Sequence, residues 1–225
     1  HNMKVKLVSY SKPAPGFVEE GVDDVQELIA FCARVSNPSA QINTETSEKL
    51  IRYLVKHQHW SPLEMVSACL EIETTRDIAH QIVRHRSFSF QEFSQRYANP
   101  VEDMQFVSRE ARLQDTKNRQ NSIDLEDNEE SIKLQQGWAT KQDAVIMAAD
   151  KAYRWAIDNG IAKEQARVVL PEGLTKTRLY MNGTLRSWVH YIELRSAHGT
   201  QKEHMDIAKE CATVIAEIFP LANSL

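Results

Sequence analysis

The stretch that decides the fold is Met65-Val66-Ser67-Ala68-Cys69-Leu70-Glu71-Ile72-Glu73-Thr74-Thr75, followed by Arg76-Asp77-Ile78-Ala79-His80-Gln81-Ile82-Val83-Arg84-His85-Arg86-Ser87-Phe88-Ser89-Phe90-Gln91-Glu92-Phe93-Ser94-Gln95-Arg96-Tyr97. Met65 to Glu73 reads as a strand, its alternation clearest toward the end. Thr74 or Thr75 then caps a helix that runs through about Arg84, with Ile78, Ala79, Ile82 and Val83 as its buried stripe. Gln81 and Arg84 are three apart and share another side of that helix. Arg84-His85-Arg86 falls at the helix end, where cations suit the dipole and are also well placed to bind phosphate. If the chain beyond is extended, Glu92, Ser94 and Arg96 point to one face, because strand side chains repeat every two residues. That set suits a nucleotide: Arg and Ser for a phosphate, a carboxylate for sugar or base donors. The residues alone equally allow a half-exposed strand with incidental charges and a local Glu–Arg pair.

Outward from this stretch, Lys4 to Ser9 reads as a first strand, Val22 to Val35 as a helix, and Ser47 to His57 as a second helix capped by Asn43 or Thr44. Beyond it, Trp138 to Asp158 reads as a long helix stopped by Asn159-Gly160, and Ile161 to Val168 as another closed by Pro171. Thr177 to Met181 is a strand, Leu185 to Arg195 a helix and His204 to Phe219 a last amphipathic helix. Residues 109–136 are charged and amide-rich and predict a partly helical surface insertion. The fold expected is α+β, one mixed domain over 3–225. His1 and Asn2 precede Met3 and read as an expression remnant.

With 225 residues and 42% hydrophobic content, the chain can bury a substantial core. A formal charge of −4 gives no footprint for nucleic acid, even though Phe88, Phe90, Phe93 and Tyr97 beside arginines resemble a stacking platform. No apolar run reaches the roughly 20 residues of a membrane span, so a soluble, cytoplasmic protein is expected. Trp138, Trp155 and Trp188 read as core or subunit-interface anchors. The histidine pairs His57 and His59, His80 and His85, and His198 and His204 lack metal-ligand spacing, so no metal site is expected. His80 reads as facing solvent or a partner subunit. Seven glycines form neither G-x-G-x-x-G nor a Walker pattern, which excludes a dinucleotide held on a glycine loop. Cys32, Cys69 and Cys211 sit in apolar settings without cationic neighbours and read as small buried hydrophobes rather than activated thiols.

Arg84-His85-Arg86, seven residues, then Ser94 resembles the RHR-x7-S signature of the flavin-dependent thymidylate synthases. Gln81 and the Ser94-x-Arg96-Tyr97 ending match as well, as do Ala33-Arg34-Val35-Ser36, His59-x-Ser61-Pro62-x-Glu64, Arg167 to Pro171, and Leu185-Arg186-Ser187-Trp188 through Arg195. This resemblance covers most of the chain. It implies a central, largely antiparallel sheet flanked by long helices, and a homotetramer with active sites at subunit interfaces. It implies dUMP held by Gln81, Arg84, Glu92, Ser94, Gln95, Arg96, Arg167 and Arg195. It further implies FAD held by Ser36, His59, Ser61, Glu64, Arg84, His85, Arg86, Ser87, Arg186 and His190, with Arg84 between the two ligands.

The implied reaction is reductive methylation of dUMP to dTMP, with 5,10-methylenetetrahydrofolate as carbon donor and NADPH-reduced FAD as hydride source. No enzyme nucleophile takes part. Arg195, Arg84 and His59 are the expected catalytic residues, with Arg195 polarising the uracil; its plainer reading is a helix-end cation on the last carbonyls. Arg167 has a similar plain reading. Thr184 stands where many members carry Asn, and 109–136 resembles nothing in the family. Two other functions are kept open: an inactive flavin or nucleotide sensor, and an RNA-binding module built on Arg84 to Tyr97.

Overall fold

The computed structural model describes residues 4–224, so the reading of His1 and Asn2 as a remnant lies outside the described residues. The chain begins with β1 (Lys4–Tyr10), α1 (Pro15–Glu19) and α2 (Val25–Ala33). The Asp24 carboxylate accepts the Glu27 N–H at 2.8 Å, so α2 starts at that cap and is shorter than the expected Val22–Val35. Asn43 caps a 3-10 turn, Thr44–Thr46, and α3 (Ser47–Lys56) follows it. Ser61–Met65 is a further 3-10 turn, which moves the start of β2 (Ser67–Thr75) past Met65.

Next come α4 (Arg76–Ile82), β3 (Ser89–Glu92), α5 (Pro100–Asp103), a hairpin of β4 (Leu113–Gln114) and β5 (Ser122–Ile123), and α6 (Glu129–Asp158). Helix α4 ends at Ile82, so Val83 leaves the buried stripe and is 37% exposed, against expectation. Helix α6 starts nine residues before the expected Trp138. Asn128 caps it, accepting the Ser131 N–H at 2.9 Å, and its first turns are made of good helix formers without an apolar stripe to reveal them. The expected helix Ile161–Val168 divides into α7 (Lys163–Ala166) and a 3-10 turn, Arg167–Val169. Strand β6 (Lys176–Thr184), α8 (Leu185–Arg195), α9 (Lys202–Ile218) and a 3-10 turn, Pro220–Ser224, follow. Helix α8 has the expected bounds.

The main sheet has the order β1-β2-β6-β3 and is antiparallel throughout. Strands β2 and β6 pair without interruption from Ser67↔Thr184 to Thr75↔Lys176. Ala68, Leu70, Ile72 and Thr74 alternate inward on β2, as do Thr177, Leu179, Met181 and Gly183 on β6. Onto this face pack Ile78 and Ile82 of α4, Leu185, Trp188 and Tyr191 of α8, and Ile207, Cys211 and Ile215 of α9. The Trp188 indole N–H donates to the Ala68 carbonyl at 3.0 Å, which fastens α8 to β2. The other face is polar, with Arg178 3.0 Å from Glu73 and 3.3 Å from Glu71.

A second core of Val101, Tyr153, Ala156, Ala166 and Leu170 joins α5, α6 and α7. Of the tryptophans, Trp188 is a core residue, whereas Trp138 and Trp155 are exposed on this chain. Cys211 is buried as expected, but Cys32 and Cys69 are only partly so.

The last residues of the segment 109–136 are the start of α6, and its first residues are clipped to that helix. Gln142 accepts the Arg109 N–H and donates to the Arg109 carbonyl (2.7 and 2.8 Å). Gln135 does the same for Ala111 (2.9 and 3.1 Å). Seven residues separate the two glutamines, so two helical turns bring both amides to one side.

Gly183 admits the side chain that anchors the Arg84–Arg86 turn. A Cβ there would stand 2.5 Å from Cδ1 of Phe88, whose ring lies edge-on to Trp188 at 4.8 Å. Gly183→Ala is expected to destabilise the fold by about 1–3 kcal/mol, as overpacking does, measured by denaturant unfolding. An unchanged midpoint would show that the Phe88 ring has room to move.

Candidate active site

Arg84-His85-Arg86 forms a turn at the C-terminal end of α4. The His85 N–H donates to the Ile82 carbonyl at 3.1 Å and the Phe88 N–H to the His85 carbonyl at 3.3 Å. Phe88 is held in the core, so the turn is fixed at both ends. Arg84, Arg86 and Ser87 project outward, and the two arginines have no hydrogen bond or ion pair among the described residues. His85 turns inward, edge-on to the Tyr191 ring at 4.8 Å, and its Nε2 accepts from Arg195 Nε at 2.9 Å. Burial and then the Arg195 charge push the His85 pKa below its ordinary value, so the ring stays neutral and keeps a lone pair for Arg195. Arg195 therefore bonds His85 rather than the last carbonyls of α8.

Behind this pair, Tyr191 Oη meets His204 Nε2 at 2.8 Å, and His204 Nδ1 meets Gln81 Oε1 at 3.0 Å. His204 is fully buried, and burial, with the Arg195 charge, brings its pKa down to about 3. Tyr191 and His204 were not expected as site residues. The signal was present: His204, Ile207, Ala208, Cys211 and Ile215 follow helical spacing, which puts the histidine on the buried stripe of α9.

The extended face predicted for Glu92, Ser94 and Arg96 does not form. Strand β3 stops at Glu92, and the Tyr97 and Ala98 N–H groups both donate to the Ser94 carbonyl (3.2 and 3.0 Å), closing a turn. Glu92 instead accepts from Arg76 at 2.6 Å and from the Thr177 hydroxyl at 2.8 Å. Gln95 is buried, and the exposed Arg96 stands 3.5 Å from Glu164. Glu164 lies three residues before Arg167, which opens the 3-10 turn after α7.

Of the residues assigned to flavin, Glu64, Arg186 and His190 lie along the first half of α8 and the turn packed on it. Glu64, in the 3-10 turn before β2, pairs with Arg186 at 3.5 Å, and the His190 ring lies against Trp60 at 4.6 Å. Exposed Ser61 opens that 3-10 turn, and exposed Ser36 follows α2. His59 is placed by a tight cap on α3: its N–H donates to the Leu54 carbonyl at 2.8 Å and that of Gln58 to Val55 at 3.1 Å, with Gln58 left-handed at φ 58°. Thr184 accepts the Ser187 N–H at 3.2 Å and so caps α8. Along α8, nine residues separate Arg186 from Arg195, a rise of about 14 Å.

Three groups result: His85 with Arg195, backed through Tyr191 and His204 by Gln81, then Glu64 with Arg186, and Arg96 with Glu164. Among the described residues no hydrogen bond or ion pair joins one group to another. A cavity of about 270 Å³, lined by Thr74, Thr75, Arg109, Lys176, Lys202 and Glu203 among others, contains none of the expected ligand residues. His80, exposed as expected, meets Glu172 at 2.6 Å. Among the described residues the grouping with metal-ligand spacing is Asp23, Asp24 and Glu27, and Asp24 is already engaged in capping α2.

A family model described as thymidylate synthase complementing protein matches residues 18–221. A probable flavin-dependent thymidylate synthase of Paramecium bursaria Chlorella virus 1 is 48% identical over 218 residues, covering 97% of this chain and 96% of the relative. A flavin-dependent thymidylate synthase of Synechocystis is 46% identical over 219 residues, with the same shares covered. In fold, the chain is similar to the crystal structure of the UMP/dUMP methylase PolB from Streptomyces cacaoi bound with 5-Br dUMP. The TM-score is 0.78 at 24% identity, over 99% of this chain and 93% of that one.

His204 makes stability depend on pH. Its folded value of about 3 lies below the free value of 6.5, so on acidification the unfolded chain takes up the proton first. The stabilisation is complete above pH 6.5 and falls by about 1.4 kcal/mol per pH unit below it, or about 2 kcal/mol by pH 5. His204→Gln is expected to be less stable at neutral pH and to lose this slope, read from urea midpoints at pH 7.5 and 5. An equal slope in the variant would place the titration on another group.

Proposed function

The chain belongs to the thymidylate synthase complementing protein family, and we propose that it converts dUMP to dTMP as a flavin-dependent methyltransferase. The observation that carries this reading is the turn Arg84-His85-Arg86 locked through neutral His85 to Arg195. Arg195 is held by Nε alone, which leaves both Nη groups for a pyrimidine oxygen. A guanidinium there favours the ring form that carries negative charge, as an oxyanion hole favours developing charge. The thiols offer no competing route: burial raises Cys32, Cys69 and Cys211 above the ordinary cysteine value.

The donor set fits a flavin dinucleotide. Exposed Arg84 and Arg86 supply phosphate contacts without a glycine loop, and Ser36, Ser61 and Ser87 add hydroxyls. Arg186, His190, His59, Glu64 and His85 would complete the cradle. Bound there, the reduced flavin supplies the hydride that completes the methyl group. NADPH and 5,10-methylenetetrahydrofolate are the co-substrates in this reading. Gln81, Ser94, Gln95, Arg96, Arg167, Glu92 and Arg84 hold dUMP, and Arg84 stands between the ligands.

Active sites shared between the chains of a homotetramer account for three groups that one chain leaves unlinked. The exposed apolar Trp138 and Val145 of α6, together with Val168 and Val169, support such a contact. No helix among the described residues is long and apolar enough to cross a membrane, in keeping with a cytoplasmic place. The domain runs over 3–225, with 109–136 as its insertion.

Protein loaded with FAD is expected to release tritium from C5-labelled dUMP when NADPH and methylenetetrahydrofolate are present. Binding of both ligands without release would identify a sensor instead. The same release is expected from a folded variant with all three cysteines replaced by alanine; its complete loss would restore a thiol mechanism. Arg195→Ala should keep flavin and lower turnover by about 100- to 1000-fold, the scale of losing one such donor. Arg84→Ala should weaken flavin and dUMP together, and equal flavin loss in both variants would contradict this division of roles.

A further inference from the structure

A chain of hydrogen bonds leads from the 109–136 segment to Gln81. Arg112 makes a two-pronged pair with Glu203, Nη1 to Oε2 at 2.6 Å and Nη2 to Oε1 at 2.7 Å, with side chains only 9% and 10% exposed. Gln201 Nε2 donates to Glu203 Oε1 at 2.9 Å. Gln81 Nε2 donates to Gln201 Oε1 at 3.0 Å, and Gln81 Oε1 receives His204 Nδ1 at 3.0 Å. His204 Nε2 in turn meets the Tyr191 hydroxyl at 2.8 Å.

The charged pair forces the direction of every bond. A carboxylate only accepts, so Gln201 must turn its NH2 to Glu203 and its oxygen to Gln81. Gln81 must then donate from nitrogen, which leaves its oxygen to accept from His204. His204 therefore carries its proton on Nδ1 and accepts from Tyr191 on Nε2. Burial alone would raise the Glu203 carboxyl, but hydrogen bonds from Arg112 and Gln201 and the Arg112 charge bring it down to about 2, so the anchor stays ionised. An amide without such an anchor can rotate by half a turn at little steric cost, since its oxygen and NH2 are similar in size.

We propose that Arg112 and Glu203 are positioning residues that fix the Gln81 amide in one orientation, with its remaining N–H rather than its oxygen presented to the nucleotide. The insertion thereby takes part in the site, because it carries the buried cation that sets the polarity of a substrate contact. dUMP is rich in acceptors at its phosphate and carbonyl oxygens, so a reversed amide would oppose oxygen to oxygen. The proposal rests on the reading of Gln81 as a dUMP contact.

The test uses the FAD-loaded enzyme. The paired variant Arg112→Met, Glu203→Gln removes both charges together, so neither is left buried alone. It is expected to raise KM for dUMP roughly tenfold, the scale of one lost hydrogen bond, with kcat and flavin content unchanged. Arg112→Lys, which keeps the cation, should recover most of that affinity. Independently of any variant, nitrogen NMR of the wild type should show His204 protonated on Nδ1 between pH 5 and 8. A proton on Nε2 overturns the proposal, as does a paired variant with wild-type KM while Gln81→Ala raises it. If Gln81→Ala itself keeps the wild-type KM, the parent reading of Gln81 falls, and the relay falls with it.

Discussion

The antiparallel ladder between β2 and β6 is the constraint on which the site depends. Helix α4 begins where β2 ends, at Thr75, and α8 begins where β6 ends, at Thr184. Thr75 pairs with Lys176 and Thr184 with Ser67, so the two helices start at opposite ends of one ladder and fold back over the same face. The nine paired residues of β2 span about 30 Å, while the seven and eleven residues of the helices add to about 27 Å. Their C-terminal ends accordingly meet, and the meeting point is the bond between His85 and Arg195. Two helix C-termini carry partial negative charge toward one place, which favours Arg84, Arg86 and Arg195 there without a neutralising carboxylate. That leaves cation capacity for anionic ligands.

What the sequence reveals of this arrangement follows from how local each signal is. Helix α8 is readable to the residue because Thr184 caps it and its apolar positions keep one period. The turn at Ser94 is not, because its bonds go to its own carbonyl and leave no apolar pattern; the alternation at Glu92, Ser94 and Arg96 simulates a strand that ends earlier. The first turns of α6 escape for the opposite reason, being helical by propensity and tertiary clips without a hydrophobic stripe. The motif Arg84-His85-Arg86 is conspicuous, yet nothing local says that its histidine is the neutral, inward member and Arg195 its partner 110 residues on. His204 is visible on a helical wheel as a polar residue in an apolar row, but its partners lie on two other helices.

The polar groups of the site are therefore arranged by burial as much as by charge. Low accessibility keeps His85 and His204 neutral, and their lone pairs hold Arg195 and receive the Tyr191 proton donor. The same low accessibility raises the thiol of Cys211 beyond use. One interior thus suppresses nucleophile chemistry and supports a fixed hydrogen-bond geometry.

The two glutamines on α6 have a consequence for solubility. An extended segment presents its N–H and C=O groups along an edge, and an open edge is a template for pairing with another chain. At Arg109 and Ala111 that edge is answered by side-chain amides from a helix, each offering one donor and one acceptor as a neighbouring strand would. The insertion is in effect half of a two-stranded ladder whose second strand is a column of glutamines. It cannot recruit a foreign strand at those positions without first releasing α6.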